Sequence, residues 1–90
     1  MLNVQYRRLF LKDLKKLKRQ PVYDQVFDLV FNIMPEAASL REIPNIKQLK
    51  GYVNRYRIRS GDYRVGFESF DNDVEFMRVL NRKEFYRYFP

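Results

Sequence analysis

Arginines alternate with apolar residues in the segment 55–67, and this spacing is the part of the chain best suited to chemistry. Single apolar residues separate Arg55, Arg57 and Arg59, so a β-strand would direct all three guanidinium groups to one side. A Ser-Gly-Asp turn signal follows, and apolar residues then alternate with Arg64 on a second strand. The segment predicts a β-hairpin with one apolar and one cationic face, and the cationic face suits a phosphodiester backbone.

Arginine matches a phosphate well because its planar fork of N–H donors fits two phosphate oxygens at once. If the ligand is RNA, the neighbouring 2′-hydroxyl can attack the phosphorus. The protein then need only orient the phosphate, offset its charge and move protons. Arg82 and Tyr86 are four residues apart and would lie on the same side of a helical turn. The catalytic candidates are Arg57, Arg59, Arg64, Arg82 and Tyr86.

Each candidate also has a purely structural explanation. Alternating arginines are common on an exposed sheet face, and Arg64 has Glu68 and Asp62 as potential ion-pair partners. Tyr86 also fits a core aromatic residue with a solvated hydroxyl. Further cations are expected to extend the contact with RNA: Lys47, Lys50, Arg55 and Lys83.

The composition favours a folded, strongly basic chain. Hydrophobic residues make up 46% and aromatic residues 17% of its 90 residues, which predicts one folded domain spanning 1–90. Lysine and arginine outnumber the acids by 18 to 11, which favours a polyanionic partner: nucleic acid, an acidic protein or an anionic membrane. The chain has no Cys and no His, which excludes disulfides, thiol nucleophiles, imidazole acid–base chemistry and the usual zinc sites.

The acidic residues are scattered, and their closest grouping, Asp71-Asn72-Asp73, is typical of a hairpin turn rather than a metal site. We therefore predict neither a metal nor a small-molecule cofactor. No apolar run approaches the ~18 residues of a membrane span, and no signal-peptide pattern opens the chain. The expected location is the cytoplasm, without contact with a membrane.

Hydrophobic periodicity predicts the elements that position the candidates. Residues 2–6 alternate as an opening strand, and helical spacing then predicts an amphipathic helix from 7 to about 18 and a second from Pro21 to about 34. Residues 35–50 predict a loop with one helical turn or a short extended segment, because two prolines forbid a single long helix. The outer face of the first helix carries cations for which solvation and contact with RNA or the ribosome are equal alternatives: Arg8, Lys12, Lys15, Lys16 and Arg19.

Three further strands are predicted at 55–59, 63–67 and 74–80, the last apolar on both faces and therefore central. Residues 81–89 predict a short C-terminal helix or irregular tail. The order of elements predicts an α+β fold in which an N-terminal strand and an antiparallel helical hairpin pack on one face of a three-to-four-stranded, mostly antiparallel sheet. The arginines would line the other, open and concave face.

Four segments resemble the RelE/ParE superfamily of bacterial toxins. YRIRSGDYRV at 56–65 resembles its signature hairpin, and LKDLKKL at 11–17 is similar to its opening helix. LKG at 49–51 is similar to the segment before the basic strand, and NRKEFYR at 81–87 is similar to the closing stretch. The match covers nearly the whole chain and implies a RelE-like fold.

The resemblance implies the toxin of a toxin–antitoxin pair, with an acidic antitoxin as partner. RelE-type members cut mRNA in the ribosomal A site without metal, while ParE-type members share the fold and poison DNA gyrase. By analogy Arg57 and Arg64 would hold the scissile phosphate. Arg82 would act as acid or charge stabiliser, and Tyr86 would stack on or orient the nucleotide.

We therefore expect a ribosome-dependent endoribonuclease that inhibits translation, in contact with mRNA and rRNA. The alternatives are a gyrase inhibitor and a non-catalytic RNA- or ribosome-binding module. Two residues depart from the family pattern. Some members have a lysine where Arg59 stands, proposed there as general base, and a guanidinium is a poor base. Asn81 takes the place of a histidine found in many members, so proton transfer falls to another group, such as Tyr86, or turnover depends mostly on positioning and charge.

Overall fold

The computed structural model describes residues 1–89 and contains eleven regular segments. They are β1 (Asn3–Tyr6), α1 (Arg8–Lys16), α2 (Tyr23–Asp28), a π-helical segment (Leu29–Ile33), α3 (Met34–Glu36), a 3-10 helix (Leu40–Glu42), β2 (Ile46–Gln48), β3 (Arg55–Ser60), β4 (Tyr63–Phe70), β5 (Asp73–Asn81) and α4 (Arg82–Tyr88). The five strands form one sheet in the order β1-β5-β4-β3-β2. Neighbouring strands are antiparallel except β1 and β5, which are parallel.

The α+β class, the helical hairpin and the mostly antiparallel sheet are confirmed, and within residues 1–89 the sheet has five strands, one more than the predicted three to four. The additional strand is Ile46–Gln48, in a region predicted as a loop or short extended segment. Its three residues pair with β3, Lys47 lying opposite Arg57. A strand of three residues is too short to show a clear alternation of polar and apolar side chains. Its pairing with β3 is what defines it as a strand.

The main core lies between the helical hairpin and one face of the sheet. Phe10, Leu14 and Leu17 are buried at the predicted helical spacing, and they pack against alternate residues of the strands, including Ile58 and Val65. The cations on the outer face of α1 are exposed. Within residues 1–89, none of the helices has both the length and the apolarity that crossing a membrane requires.

The second helix of the hairpin contains one irregular turn. Regular α-helical bonding stops at Asp28, a π-helical turn covers Leu29–Ile33, and α3 then ends at Glu36. Pro35 has no N–H, and its ring would crowd the carbonyl four residues earlier, so a wider turn before it relieves the conflict. The helix therefore ends one residue beyond Pro35, close to the predicted boundary.

The second face of the sheet is partly covered, which corrects the expectation of an open concave surface. Helix α4 folds back over it and buries Phe85 and Phe89 in a small cluster with Leu49 and Met77. Gly66 in β4 makes this contact possible, because a Cβ atom there would lie 2.8 Å from Phe89 Cδ2 and 2.9 Å from Phe85 Cε1. The arginines therefore share their face with an aromatic cluster.

Candidate nucleic-acid interface

The hairpin of β3 and β4 places two candidate arginines side by side. Arg59 lies directly opposite Arg64 in the antiparallel register, while Ile58 lies opposite Val65. The apolar pair points into the main core, and since strand residues alternate, Arg59 and Arg64 point to the other face. Arg57 is two residues from Arg59 and shares that face. The predicted one-sided cationic hairpin is confirmed as local structure.

Arg64 and Arg82 both lie against the turn that joins β3 to β4. Arg64 Nη1 donates to the carbonyl oxygens of Gly61 and Tyr63, each at 3.0 Å. The backbone N–H of Arg82 donates to the Asp62 carbonyl at 2.7 Å, which fastens the first residue of α4 to the turn. Gly61 has φ +58°, a left-handed conformation that glycine adopts without steric cost, so it shapes the point where these contacts meet.

Arg57 and Arg59 are held on the β2 side of the hairpin, by the residue that immediately precedes β2. Arg57 Nη1 donates to the Asn45 carbonyl at 3.1 Å, and Arg59 Nη2 lies 3.5 Å from Asn45 Oδ1. The Arg57 Nε atom is buried and has no hydrogen-bond partner within residues 1–89. Lys47, the residue directly across from Arg57, is exposed and adds a further positive charge to this edge.

Within the described part of the chain, Arg57, Arg59 and Arg64 form no ion pair with a carboxylate. Arg82 has one loose contact, its Nε 4.0 Å from Asp62 Oδ1, and both side chains are more than half exposed. A contact of this kind contributes little because water screens it. The positive charge of these four arginines is therefore largely uncompensated by carboxylates of the described residues, which favours binding of a polyanion.

Arg55 differs from its neighbours on β3. Its Nε lies 2.9 Å from Glu68 Oε2, and its guanidinium stacks over the ring of Phe89 at 5.6 Å and beside that of Tyr52 at 5.9 Å. Glu68, one of the two acids considered as a partner of Arg64, thus pairs with Arg55 instead. Arg55 joins the sheet to the aromatic cluster under α4.

Tyr86 is exposed on α4, one helical turn after Arg82. Its side chain is 58% exposed, and its ring contacts the buried Phe85 edge to face, with centroids 5.0 Å apart. The structure therefore places Tyr86 at the surface and rejects the core explanation for it. Its exposed ring and hydroxyl are accessible to a ligand.

The remaining predicted contacts lie around this surface. Asn81 accepts a hydrogen bond from the Lys83 N–H at 2.9 Å, so it is the N-cap of α4, and the Lys83 side chain is exposed. Lys50 is exposed in the turn before Gly51, which has φ +86°. Asn81 thus has a structural task at the start of α4.

Sequence reasoning missed two residues that hold the site. Asn45 follows Pro44, a local turn signal, and Asn tolerates the left-handed backbone, but its contacts with β3 cross more than ten residues of chain. Gly66 interrupts a strand, which signals close approach of another segment without saying which one. In both cases the sequence signal lies in adjacent residues, whereas the contact joins residues that are far apart in the sequence.

The fold and this surface together define a class of small, basic α+β proteins that present arginines on the sheet face opposite a helical hairpin. A family model described as the ParE toxin of a type II toxin-antitoxin system, parDE, matches residues 4–86. Toxin RelE3 of Methanocaldococcus jannaschii is 38% identical over 90 residues, covering 99% of this chain and 100% of the relative.

Comparison with solved structures also finds proteins that resemble this chain. The toxin fold in the RelB-RelE antitoxin-toxin complex from Methanococcus jannaschii matches with a TM-score of 0.79 and 37% identity, covering 96% of this chain and 99% of that one. The E. coli DinJ-YafQ complex matches with a TM-score of 0.74 over 96% of this chain and 99% of that one; at 16% identity this is a likeness of fold alone. The chain belongs to the RelE/ParE superfamily and is a toxin of a toxin–antitoxin system.

Proposed function

We propose that this toxin is a ribosome-dependent endoribonuclease that cleaves mRNA in the ribosomal A site and so inhibits translation. One observation carries the proposal: Arg57, Arg59 and Arg64 share a sheet face and, among residues 1–89, are held by neutral oxygens rather than by carboxylates. Such guanidiniums are oriented in advance and still fully charged. Both properties favour a phosphate whose negative charge grows in the transition state.

The reaction needs no nucleophile from the protein. The RNA 2′-oxygen attacks the adjacent phosphorus and loses its proton, the 5′-oxygen of the next nucleotide leaves and gains one, and a cyclic phosphate remains. Arg57 and Arg64 hold the non-bridging oxygens of the scissile phosphate. Arg82, at the start of α4, offsets charge on the leaving 5′-oxygen, which takes its proton from solvent water, without a metal ion.

The other two catalytic candidates, Tyr86 and Arg59, contribute to orientation of the nucleotide and to positive charge, which leaves proton transfer to be assigned. Tyr86 stacks on a base next to the scissile bond, since its ring is exposed above the sheet face. Arg59 adds charge beside Arg64 and is not assigned as the general base, because a guanidinium is a poor base. The 2′-hydroxyl proton passes to solvent water, either relayed by the Tyr86 hydroxyl, which gives up its own proton as it accepts this one, or directly, in which case turnover depends mostly on positioning and charge.

Further cations extend the RNA contact along the message and toward rRNA. Lys47 and Lys50 lie exposed on the side of β2, and Lys83 lies exposed on α4. Each contributes mainly through the phosphate backbone, so the contact weakens with salt and carries no base specificity. Arg55 is the proposed RNA contact with the least geometric support, because Glu68 already binds its guanidinium.

The proposed partner in the resting cell is a cognate acidic antitoxin. The relatives from Methanococcus jannaschii and Pyrococcus horikoshii were solved as complexes of RelE with RelB. The net charge of +7 favours an acidic chain, which would lie as a helix along the helical hairpin or as a segment over the arginines. The toxin, a single domain over 1–90, would act in the cytoplasm, where ribosomes translate.

Translation in a cell-free extract tests the nuclease. Added toxin should stop protein synthesis, and primer extension on the message should locate new 5′ ends in phase with the reading frame. Naked mRNA without ribosomes should stay intact. Blocked synthesis without in-frame cuts would reject the proposal, and salt-sensitive binding to intact RNA would point to a non-catalytic binding module.

A second candidate function is inhibition of DNA gyrase without catalysis. The match to a ParE toxin family model favours it. This function predicts inhibition of supercoiling by purified gyrase that persists in Arg64→Ala, because no phosphate of RNA has to be held. Supercoiling by gyrase at the same rate with and without toxin would eliminate this candidate function.

A further inference from the structure

Asn45 occupies an unusual position at the edge of the site. It is one of two non-glycine residues with a left-handed backbone among residues 1–89, with φ +63°. Asparagine tolerates this conformation better than other residues with a Cβ atom. The conformation occurs immediately before β2, and there the Asn45 carbonyl faces β3.

This one carbonyl oxygen receives two hydrogen bonds from the arginine strand. The Arg59 backbone N–H donates to it at 3.1 Å, and Arg57 Nη1 donates to it at 3.1 Å. A carbonyl oxygen has two lone pairs and accepts both bonds. The backbone bond fixes the position of the carbonyl, and the carbonyl in turn fixes the Arg57 guanidinium.

The rest of the Arg57 side chain has no such support within the described part of the chain. Its Nε is buried without a hydrogen-bond partner, so the bond to Asn45 is what sets the rotation of the guanidinium plane. The Asn45 side chain adds a weaker contact, Oδ1 to Arg59 Nη2 at 3.5 Å. Both acceptors are electrically neutral.

Neutrality matters because positive charges crowd this edge. Lys47 lies opposite Arg57, and Arg64 lies opposite Arg59. An aspartate in place of Asn45 would tolerate the same backbone and hold the arginines more tightly, but it would cancel a unit of the charge that a phosphate must meet.

We propose that Asn45 is a positioning residue that orients Arg57 and Arg59 through neutral acceptors and leaves their charge available to the scissile phosphate. The inference rests on the proposed nuclease function for its catalytic consequence. Its structural part, the restraint of Arg57, is independent of that function.

Three substitutions separate the parts of the proposal. Asn45→Gly keeps the left-handed backbone and the carbonyl but removes Oδ1. Asn45→Asp keeps the backbone geometry and adds negative charge. Asn45→Ala disfavours the backbone conformation and should displace the carbonyl.

The first measurement is made on free toxin and requires no cleavage. Nitrogen-15 NMR of the Arg57 guanidinium should give rotation about the Nε–Cζ bond about tenfold faster in Asn45→Ala than in the parent or Asn45→Gly, because a hydrogen bond to a charged group is lost. Equal rotation in all three proteins would overturn the proposal. If Asn45→Ala fails to fold, slow rotation in Asn45→Gly supports the carbonyl as the restraint, and fast rotation refutes it.

The second measurement is cleavage of ribosome-bound message. We expect kcat for Asn45→Ala to fall about 10- to 100-fold with KM changed less than about threefold, and kcat for Asn45→Gly, which loses only the weaker contact to Arg59, to fall about two- to fivefold. Asn45→Asp should lose about tenfold and bind RNA with a salt slope smaller by about one. Parent-like kcat in both Asn45→Ala and Asn45→Asp would refute the positioning role. An inactive parent would instead refute the nuclease, and the NMR result would still decide whether Asn45 restrains Arg57.

Discussion

Asp13 of α1 and Arg78 of β5 form a bidentate ion pair, with Arg78 Nε 2.7 Å from Asp13 Oδ2 and Nη2 3.1 Å from Oδ1. Asp13 is 4% exposed and also accepts the Val79 backbone N–H at 3.2 Å. The Arg78 guanidinium lies over the Tyr88 ring at 5.6 Å. One carboxylate thus links the helical hairpin, the sheet and, through Arg78, the helix that carries Tyr86.

Removal of this carboxylate should destabilise the whole fold. Asp13→Ala leaves Arg78 and a backbone N–H without their acceptor, and we expect the free energy of unfolding to fall by about 3 kcal/mol in urea denaturation followed by circular dichroism. The double variant Asp13→Leu with Arg78→Met replaces both charges by apolar groups and should lie much closer to the parent. A loss below about 1 kcal/mol in Asp13→Ala would mean that the pair is solvated in solution.

Gly66→Ala should weaken the packing of α4. The added Cβ would lie within 2.9 Å of ring atoms of Phe85 and Phe89, so the helix must shift or the rings must leave their positions. We expect a loss of about 1–3 kcal/mol in unfolding free energy, measured by urea denaturation, together with reduced toxicity because Arg82 and Tyr86 move with the helix. Ser69→Ala in the same strand removes atoms instead of adding them and should be close to neutral in both measurements.

Arg64→Ala and Arg82→Ala should each relieve growth inhibition on induction while the circular dichroism spectrum stays that of the parent. Each change removes one charge beside the hairpin turn and no buried apolar contact. Arg41→Ala is the charge-matched control, because Arg41 is exposed in the 3-10 helix Leu40–Glu42 and is not part of the proposed site. Toxicity equal to that of the parent in either arginine variant, or an equal loss in Arg41→Ala, would contradict the assigned site.

Tyr86→Phe and Tyr86→Ala separate stacking from proton transfer. The ring is largely exposed, so neither change should alter the unfolding free energy by more than about 0.5 kcal/mol. If the ring stacks on a base, Phe should keep most of the cleavage rate and Ala should lose about tenfold or more in single-turnover assays. An equal loss in both variants would assign the hydroxyl a part in proton transfer.

Tyr6 should make stability sensitive to alkali. Its hydroxyl donates to the Val30 carbonyl, and burial raises the pKa of this phenol above its ordinary value of 10.0. The neutral form is favoured in the folded state, so the stabilisation is complete below pH 10 and declines as the pH rises through and above it. The difference in unfolding free energy between the parent and Tyr6→Phe should be about 1 kcal/mol at pH 8 and shrink toward pH 11 in urea titrations. A difference that is constant over this range would reject the role of the phenol.

The sequence by itself determined the local structure and the chemistry available to it. Alternation at 55–67 predicted the hairpin and the side on which its arginines lie, and the 3.6-residue period predicted which face of α1 is buried. These patterns are readable because each depends only on neighbours within a strand or a few helical turns. The absence of Cys and His from the chain likewise excludes thiol and imidazole chemistry, because no fold can supply a side chain that the chain lacks.

Only the tertiary structure decided which distant groups meet. It turned Ile46–Gln48 into a strand, brought α4 onto Gly66, paired Asp13 with Arg78 and placed the Asn45 carbonyl against Arg57. Local signals do not identify these partners, because the contacting residues are eight or more positions apart in the sequence. Such contacts form because the folded chain lowers its free energy by burying apolar surface while its buried polar groups find hydrogen-bond partners. That free energy is a property of the whole chain and cannot be assigned to a single segment.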